Sequence, residues 1–245
     1  MPMPDALFDE PRLAQVYDLL DPDRMDLAVY AALVDELGAR SVLDVGCGTG
    51  TLACLLAARG LQIVAVDPAG ASLDVARRKA GAHLVRWLRA DATGLPALQV
   101  DLAAMTANVA QVFLTDEAWA ATLAGIRGAL RPGGWLVFET RDPGAQGWLR
   151  WTRDHTRTRA LLPDGNTVES WIDVLDVSEP FVSFRTTFIF SADGAPLTST
   201  STLRFRSREE LNASLNDAGF EVAEVRDAPD RPGLELVYLA RRLGQ

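Results

Sequence analysis

The chain has 245 residues, 48% of them apolar, and a formal net charge of −9 from 24 Lys and Arg against 33 Asp and Glu. That length suits one α/β domain with an embellishment, or two small domains. The acidic balance argues against a nucleic-acid partner, because the one basic run, Arg77-Arg78-Lys79, reads as a solvated helix face.

Cys47 and Cys54 form no C-x-x-C pair, and reduced thiols fit a cytoplasmic location. Residues 1–5 show neither the basic start nor the apolar stretch of a signal peptide. No apolar run approaches the ~18 residues of a membrane span, so no membrane partner is expected.

Residues 11–20 read as a helix with Leu13, Val16, Tyr17 and Leu20 on one face. Asp21-Pro22-Asp23 breaks it, and Asp23 is placed to cap a second helix over 24–37, which Gly38 ends. A strand starts at Ser41 and runs into Asp44-Val45-Gly46-Cys47-Gly48-Thr49-Gly50, with helical spacing (Leu52, Leu55, Leu56) directly after. Strand, glycine turn and helix start together make a ligand-binding edge, because free backbone N–H groups point outward there.

The spacing is G-x-G-x-G, whereas the dinucleotide fingerprint is G-x-G-x-x-G, and Thr51 stands where its third glycine belongs. Asp44 lies two residues before the first glycine, where it would repel a pyrophosphate and attract an ammonium or sulfonium. A second strand, 61–66, ends in Asp67, 21 residues beyond Gly46. That is near the ~20-residue offset at which an acid binds a ribose diol. A helix over 72–79 and a third strand over 83–88 follow, and the latter leads into Arg89-Ala90-Asp91-Ala92.

The alternation continues with a strand over 100–106 and a helix over 116–130 capped by Thr115. The turn Pro132-Gly133-Gly134 then leads to a strand over 135–139. After Arg141 the period changes. Apart from a helical piece near 148–152, β-like runs cover 167–177, 181–190 and 197–206, separated by turn signals. They predict a three-stranded antiparallel insert of about 60 residues beside the ligand edge. Ser207-Arg208-Glu209-Glu210 is a capping-box pattern opening a helix to Ala218, and strands over 220–226 and 234–241 close the chain.

The ordered motifs at Asp44–Gly50, Asp67, Asp91 and Arg131-Pro132-Gly133-Gly134 resemble those of the class I S-adenosylmethionine-dependent methyltransferases. The resemblance covers roughly 26–140 and returns at 207–241. It implies a Rossmann-like α/β fold, a mostly parallel seven-stranded sheet with helices on both faces, with the antiparallel insert after strand five. In that scheme residues 1–40 form helices over the cofactor, 41–143 with 207–245 form the core, and 144–206 form a substrate lid. The implied cofactor is S-adenosyl-L-methionine, leaving as S-adenosyl-L-homocysteine, and no metal is required. The implied partner is a small-molecule acceptor methylated at O, N or C. The alternatives are a nicotinamide-dependent oxidoreductase and a non-catalytic S-adenosylmethionine-binding protein.

Carried onto this sequence, the resemblance gives Asp44 to the glycine loop and the methionine amine. Gly46, Cys47, Gly48 and Gly50 lie along the methionine part. Asp67 takes the ribose, Pro68 packs on the adenine, and Asp91 with the Ala92 N–H meets the adenine edge. Thr106 offers its carbonyl to the ammonium. Arg24 either pairs with the cofactor carboxylate or is a solvated helix-start charge, and Tyr17 is either a polar contact or packing. Acceptor candidates are Tyr17, Asn108, Gln111, Arg141, Trp148, Trp151 and Trp171, each with a structural alternative in packing, capping or surface pairing. His155 is either a base for a hydroxyl or an exposed loop residue, and the sequence names no catalytic residue.

Overall fold

The computed structural model describes residues 4–22 and 24–244. It contains a seven-stranded sheet in the order β10-β11-β5-β4-β1-β2-β3 and a separate four-stranded sheet in the order β6-β7-β8-β9. The large sheet is built from β1 (Ser41–Val45), β2 (Gln62–Asp67), β3 (Val85–Arg89), β4 (Val100–Met105), β5 (Leu130–Arg141), β10 (Phe220–Asp227) and β11 (Glu235–Arg242). β1 to β5 run parallel, and β11 runs antiparallel to both β5 and β10.

The parallel strands are apolar on both faces because helices cover both. On one face α3 (Met25–Glu36) and α4 (Thr51–Ala58) bring Leu27, Tyr30, Leu33, Leu52 and Leu56 against Val42, Leu102 and Val137. On the other, α6 (Asp116–Ala129) and α8 (Arg208–Asp217) bring Trp119, Leu123, Leu211 and Leu215 against Leu43, Met105 and Phe138. In β1, Val42 joins the first cluster and Leu43 the second, both fully buried, so the strand delivers side chains to two cores.

Several expectations change. Residues 131–134 do not interrupt the sheet as a free turn. Val100 pairs with Leu130 and Leu102 with Trp135, so the Pro-Gly-Gly segment loops out as an irregularity inside one long strand. A short α1 (Ala6–Asp9) precedes α2 (Pro11–Leu20), with the Glu10 carboxylate accepting from the Leu13 amide. α5 spans Gly70–Ala76, starting before the predicted Ser72. The expected cap Asp23 lies outside the described residues.

The insert has four strands, not three. β6 (Thr158–Leu161) joins β7 (Thr167–Ser178), β8 (Phe181–Phe190) and β9 (Pro196–Arg204). The helical piece is a 3-10 turn over Gly147–Arg150, followed by α7 (Arg153–Thr156).

The insert packs through two apolar clusters. Leu13 and Val16 of α2 meet Val168, Phe188 and Phe190. Trp148 meets Val182, Leu203 and Phe205. The N-terminal segment is also tied to β9: the Leu7 amide donates to Ser199 Oγ at 2.9 Å, and Ser201 Oγ donates to the Asp5 carboxylate. No described helix is long and apolar enough to cross a membrane.

Candidate functional site

β1 delivers Asp44 to the C-terminal edge of the parallel sheet, and the chain then turns through Gly46 and Gly48 at φ 71° and 52°. Side chains avoid this left-handed region. A Cβ on Gly46 would stand 2.6 Å from the Val109 side chain, while one on Gly48 would meet nothing within 4 Å. Gly46 therefore permits the turn that follows β4 to pack close, and Gly48 leaves open space beside the backbone.

The loop is held by Asp67, not by Asp44 as expected. Asp67 Oδ2 accepts from the Gly48 amide at 2.8 Å, and Oδ1 accepts from the Ala69 amide at 2.8 Å. Asp44 is 1% exposed, and neither of its oxygens has a hydrogen-bond partner. Burial, then the charge of Asp67, pushes its carboxyl up to about 7, against a smaller pull from Arg24. The Cys47 thiol beside it is pushed well up, by burial first and then by Asp44 and Asp67.

The other expected cofactor residues line neighbouring strand ends. Asp91 Oδ1 accepts from the Thr93 amide and hydroxyl at 2.8 and 2.6 Å, so that oxygen is committed to capping the 3-10 turn containing buried Ala92. Pro68 follows Asp67, and its carbonyl accepts from Arg89 at 3.4 Å. The Thr106 carbonyl already accepts from the Val109 amide at 3.3 Å. Arg24 grips Asp26 through two bonds of 3.0 and 2.8 Å, so part of its fork is satisfied within the protein. Burial works against its charge, but Asp26 prevails and raises it.

Beyond β4, Ala107 and Asn108 both adopt left-handed backbone at φ 53° and 60°. Two consecutive non-glycine residues there store strain that the surroundings must hold. They do so through acids. The Asn108 amide donates to Glu139 Oε1 at 3.2 Å, and Asn108 Nδ2 donates to Glu235 Oε2 at 3.1 Å. Tyr30 Oη donates to Glu139 Oε2 at 3.2 Å. Asn108 Oδ1 is buried and has no partner.

Arg231 donates to Glu235 Oε1 at 2.9 Å, and Arg141 Nε lies 3.5 Å from the same oxygen. Arg141 also donates to Gln111 Oε1 at 3.0 Å and stands 5.2 Å from the Trp151 ring centre. Glu139 is 4% exposed, and burial, then Glu235 and Asp26, pushes it up to about 7.

The structure thus joins Asn108, Gln111, Arg141 and Trp151 in one group. Tyr17 lies close enough to feel the charges of Arg24 and Asp21, and burial raises its phenol. Trp148 is instead a packing residue, edge-on to Phe205 at 4.7 Å. Trp171 lies under Arg153 at 4.0 Å, with its indole N–H on Asp173, on the sheet face opposite Val168 and Ser170. His155 is exposed and bonded to the Thr152 hydroxyl, outside the group.

Sequence reasoning gave no role to Glu235, Tyr30 or Asp18, and named Glu139 only within the stretch 139–142 after strand five, where substrate residues often fall. Glu139 did leave a signal, a lone acid closing the apolar run Trp135–Phe138. Asp18 ties α2 across the glycine loop. Its carboxylate accepts from Thr49 at 2.6 Å and Thr51 at 3.3 Å, and pairs with Lys79 at 2.6 Å.

A family model described as a methyltransferase domain matches residues 42–134. A cypemycin N-terminal methyltransferase from Streptomyces sp is 32% identical over 142 residues, 56% of this chain and 58% of that protein. An uncharacterized methyltransferase of Mycobacterium tuberculosis is 34% identical over 157 residues, 58% of each chain. The chain thus spans little more than half the length of these curated relatives.

Among solved structures, an S-adenosylmethionine-dependent methyltransferase from Clostridium acetobutylicum superposes with a TM-score of 0.76 at 17% identity, covering 95% of this chain and 98% of that one. The sugar N-methyltransferase KedS8 from Streptoalloteichus sp superposes with a TM-score of 0.76 at 22% identity, covering 94% and 93%. At these identities the superpositions establish the fold. The chain is thus similar to methyltransferases, through a methyltransferase domain matched over residues 42–134 and through a shared fold.

Proposed function

We propose that this chain catalyses methyl transfer from S-adenosylmethionine to a nucleophile of a small molecule, with an amine as the best-fitting acceptor. The observation that carries the cofactor assignment is Asp44, a buried carboxyl with two unpartnered oxygens two residues before the glycine turn. A ligand that brings an ammonium to that point satisfies it, since a buried acceptor without a donor costs about 1–3 kcal/mol. A pyrophosphate would bring no ammonium to Asp44 and would set its charge beside Asp67, which disfavours the nicotinamide reading.

In this reading Asp44 and the Thr106 carbonyl receive the methionine ammonium, and Gly46, Cys47, Gly48 and Gly50 floor the methionine part. Asp67 receives the ribose with its remaining lone pairs, while Pro68, Asp91 and Ala92 border the adenine. Arg24, whose charge reaches Asp44, is the cation for the cofactor carboxylate. When bound, the cofactor supplies a methyl group on a sulfonium, open to in-line displacement. Alignment and exclusion of water are the protein's contribution, worth about 7–11 kcal/mol in well-oriented systems. Asp18, Tyr17 and the insert would close the crevice for that purpose.

The acceptor group supports an amine. Asn108 Oδ1 lacks a donor, and Glu139 sits beside it near neutrality. An incoming ammonium must lose one proton before its nitrogen can attack, and Glu139 is the carboxylate suited to take it. Two of the similar proteins are named for nitrogen methylation, cypemycin N-terminal methyltransferase and the sugar N-methyltransferase KedS8. Gln111 and Arg141 then supply the polar wall, and Trp151 the apolar one.

The test is calorimetric titration with S-adenosylmethionine. Binding is expected, weakened roughly 10- to 100-fold in Asp67→Ala by the loss of charge-assisted bonds. Absence of binding to the parent chain refutes the assignment. Mass spectrometry of amine, phenol and thiol acceptors then reports the acceptor atom.

A further inference from the structure

Asp44 and Asp67 stand at the ends of adjacent strands, both nearly buried, and their surroundings differ sharply. Burial, the largest cause, raises Asp67 as well, but Asp67 accepts two backbone amides, which favour its ionised form. Asp44 accepts none. Two neighbouring carboxylates in a site of low polarity do not both ionise easily, and the proton stays on the one with fewer donors.

The groups facing Asp44 do not reverse this. From β2 comes Asp67, a like charge. From the start of α3 comes Arg24, already gripped by Asp26. The loop thiol of Cys47 and the α4 thiol of Cys54 are both pushed up, by burial first, and stay neutral. The Ala53 amide, on the first turn of α4, pulls weakly without reaching hydrogen-bond geometry.

We propose that Asp44 carries a proton in the ligand-free protein and expels it to solvent when a ligand's α-ammonium docks against it. The exchange leaves an ionised carboxylate facing an ammonium, and the balance is one proton released per ligand bound by the protonated form. It makes the ammonium a criterion for tight binding, and it ties affinity to pH through one named residue. This rests on the cofactor reading above.

The probes are S-adenosylhomocysteine, which carries the ammonium, and 5′-methylthioadenosine, which lacks it. Each is titrated calorimetrically into the full chain in buffers of differing ionisation enthalpy. With the Asp44 carboxyl near 7, S-adenosylhomocysteine should release about half a proton at pH 7 and about 0.9 at pH 6. Its affinity should fall up to about tenfold per pH unit below 7.

Methylthioadenosine should release none. Asp44→Asn should bind S-adenosylhomocysteine without release, and Glu139→Gln should leave the release intact. If Asp44→Asn does not fold, the contrast between the two probes on the parent chain still decides. Binding of S-adenosylhomocysteine without release overturns the proposal. So does equal release with both probes, or release lost in Glu139→Gln and kept in Asp44→Asn. Failure of S-adenosylhomocysteine to bind at all instead overturns the cofactor reading.

Discussion

Replacing Gly46 and Gly48 separately by alanine divides the work of the glycine loop into packing and binding. Both glycines have positive φ, so either alanine costs about 1–2 kcal/mol for left-handed backbone. Gly46→Ala adds a collision, because its Cβ would stand 2.6 and 2.9 Å from the two Val109 methyls. Overpacking of that kind costs about 1–3 kcal/mol. The total is roughly 2–5 kcal/mol for Gly46→Ala against roughly 1–2 for Gly48→Ala.

At about 2–4 °C per kcal/mol for a chain of this size, Tm should fall by roughly 4–20 °C and 2–8 °C respectively. Ligand response should run the other way. The Gly48 methyl would project into open space beside the backbone, where the methionine part is proposed to lie. Thermal melts with and without S-adenosylhomocysteine read both effects. Gly48→Ala should melt nearer the parent yet lose most of the ligand-induced rise. If it keeps the full rise, the crevice does not lie on that backbone and the site has been misread.

The core of the fold and the glycine turn at the sheet edge were legible because they are local. A strand that ends in an acid and turns through glycines within nine residues, 42–50, carries its own signature. So do Asp67, which closes β2, and Asp91, two residues beyond β3. The proposed acceptor side is long-range. Glu139 meets Tyr30, 109 positions away, and Asn108 meets Glu235, 127 away.

Asp18 reads as an ordinary helix-face acid until α2 is laid over Thr49 and Lys79. β6 was missed because its four residues alternate with Arg159 and sit at an open edge, where pairing with β7 rather than burial fixes the strand. Trp148 and Trp171 show the same limit from the opposite side. Their residue type suggested ligand contact, but Phe205 and Arg153 occupy their rings.

Asp18→Ala removes the acceptor for Thr49, Thr51 and Lys79. The Lys79 pair is partly exposed, so loss of the ion pair should cost under about 1 kcal/mol of stability. Its larger effect should be faster dissociation of S-adenosylhomocysteine in stopped-flow displacement, and an unchanged off-rate would mean α2 does not retain the ligand.

Stability should also depend on pH through Asp44 and Glu139. Both are pushed up to about 7 in the fold from ordinary values of 3.8 and 4.5. A carboxyl raised on folding binds its proton more tightly in the native state, so its contribution is complete below the unfolded value. That contribution is lost as pH rises toward about 7, and the curve then flattens. Each group gives a slope of at most about 1.4 kcal/mol per pH unit in that window.

Urea unfolding at pH 5, 6, 7 and 8 measures the summed slope, and Glu139→Gln isolates one part of it. Glutamine keeps the size of the side chain and can still accept from Tyr30 or Asn108, but it cannot titrate. The difference between parent and variant should therefore shrink the parent's stability advantage steadily from pH 5 to 7 and then stop changing. A difference that is constant across that range would mean Glu139 is ionised throughout, and with that its suitability as the proton acceptor for an amine would fall.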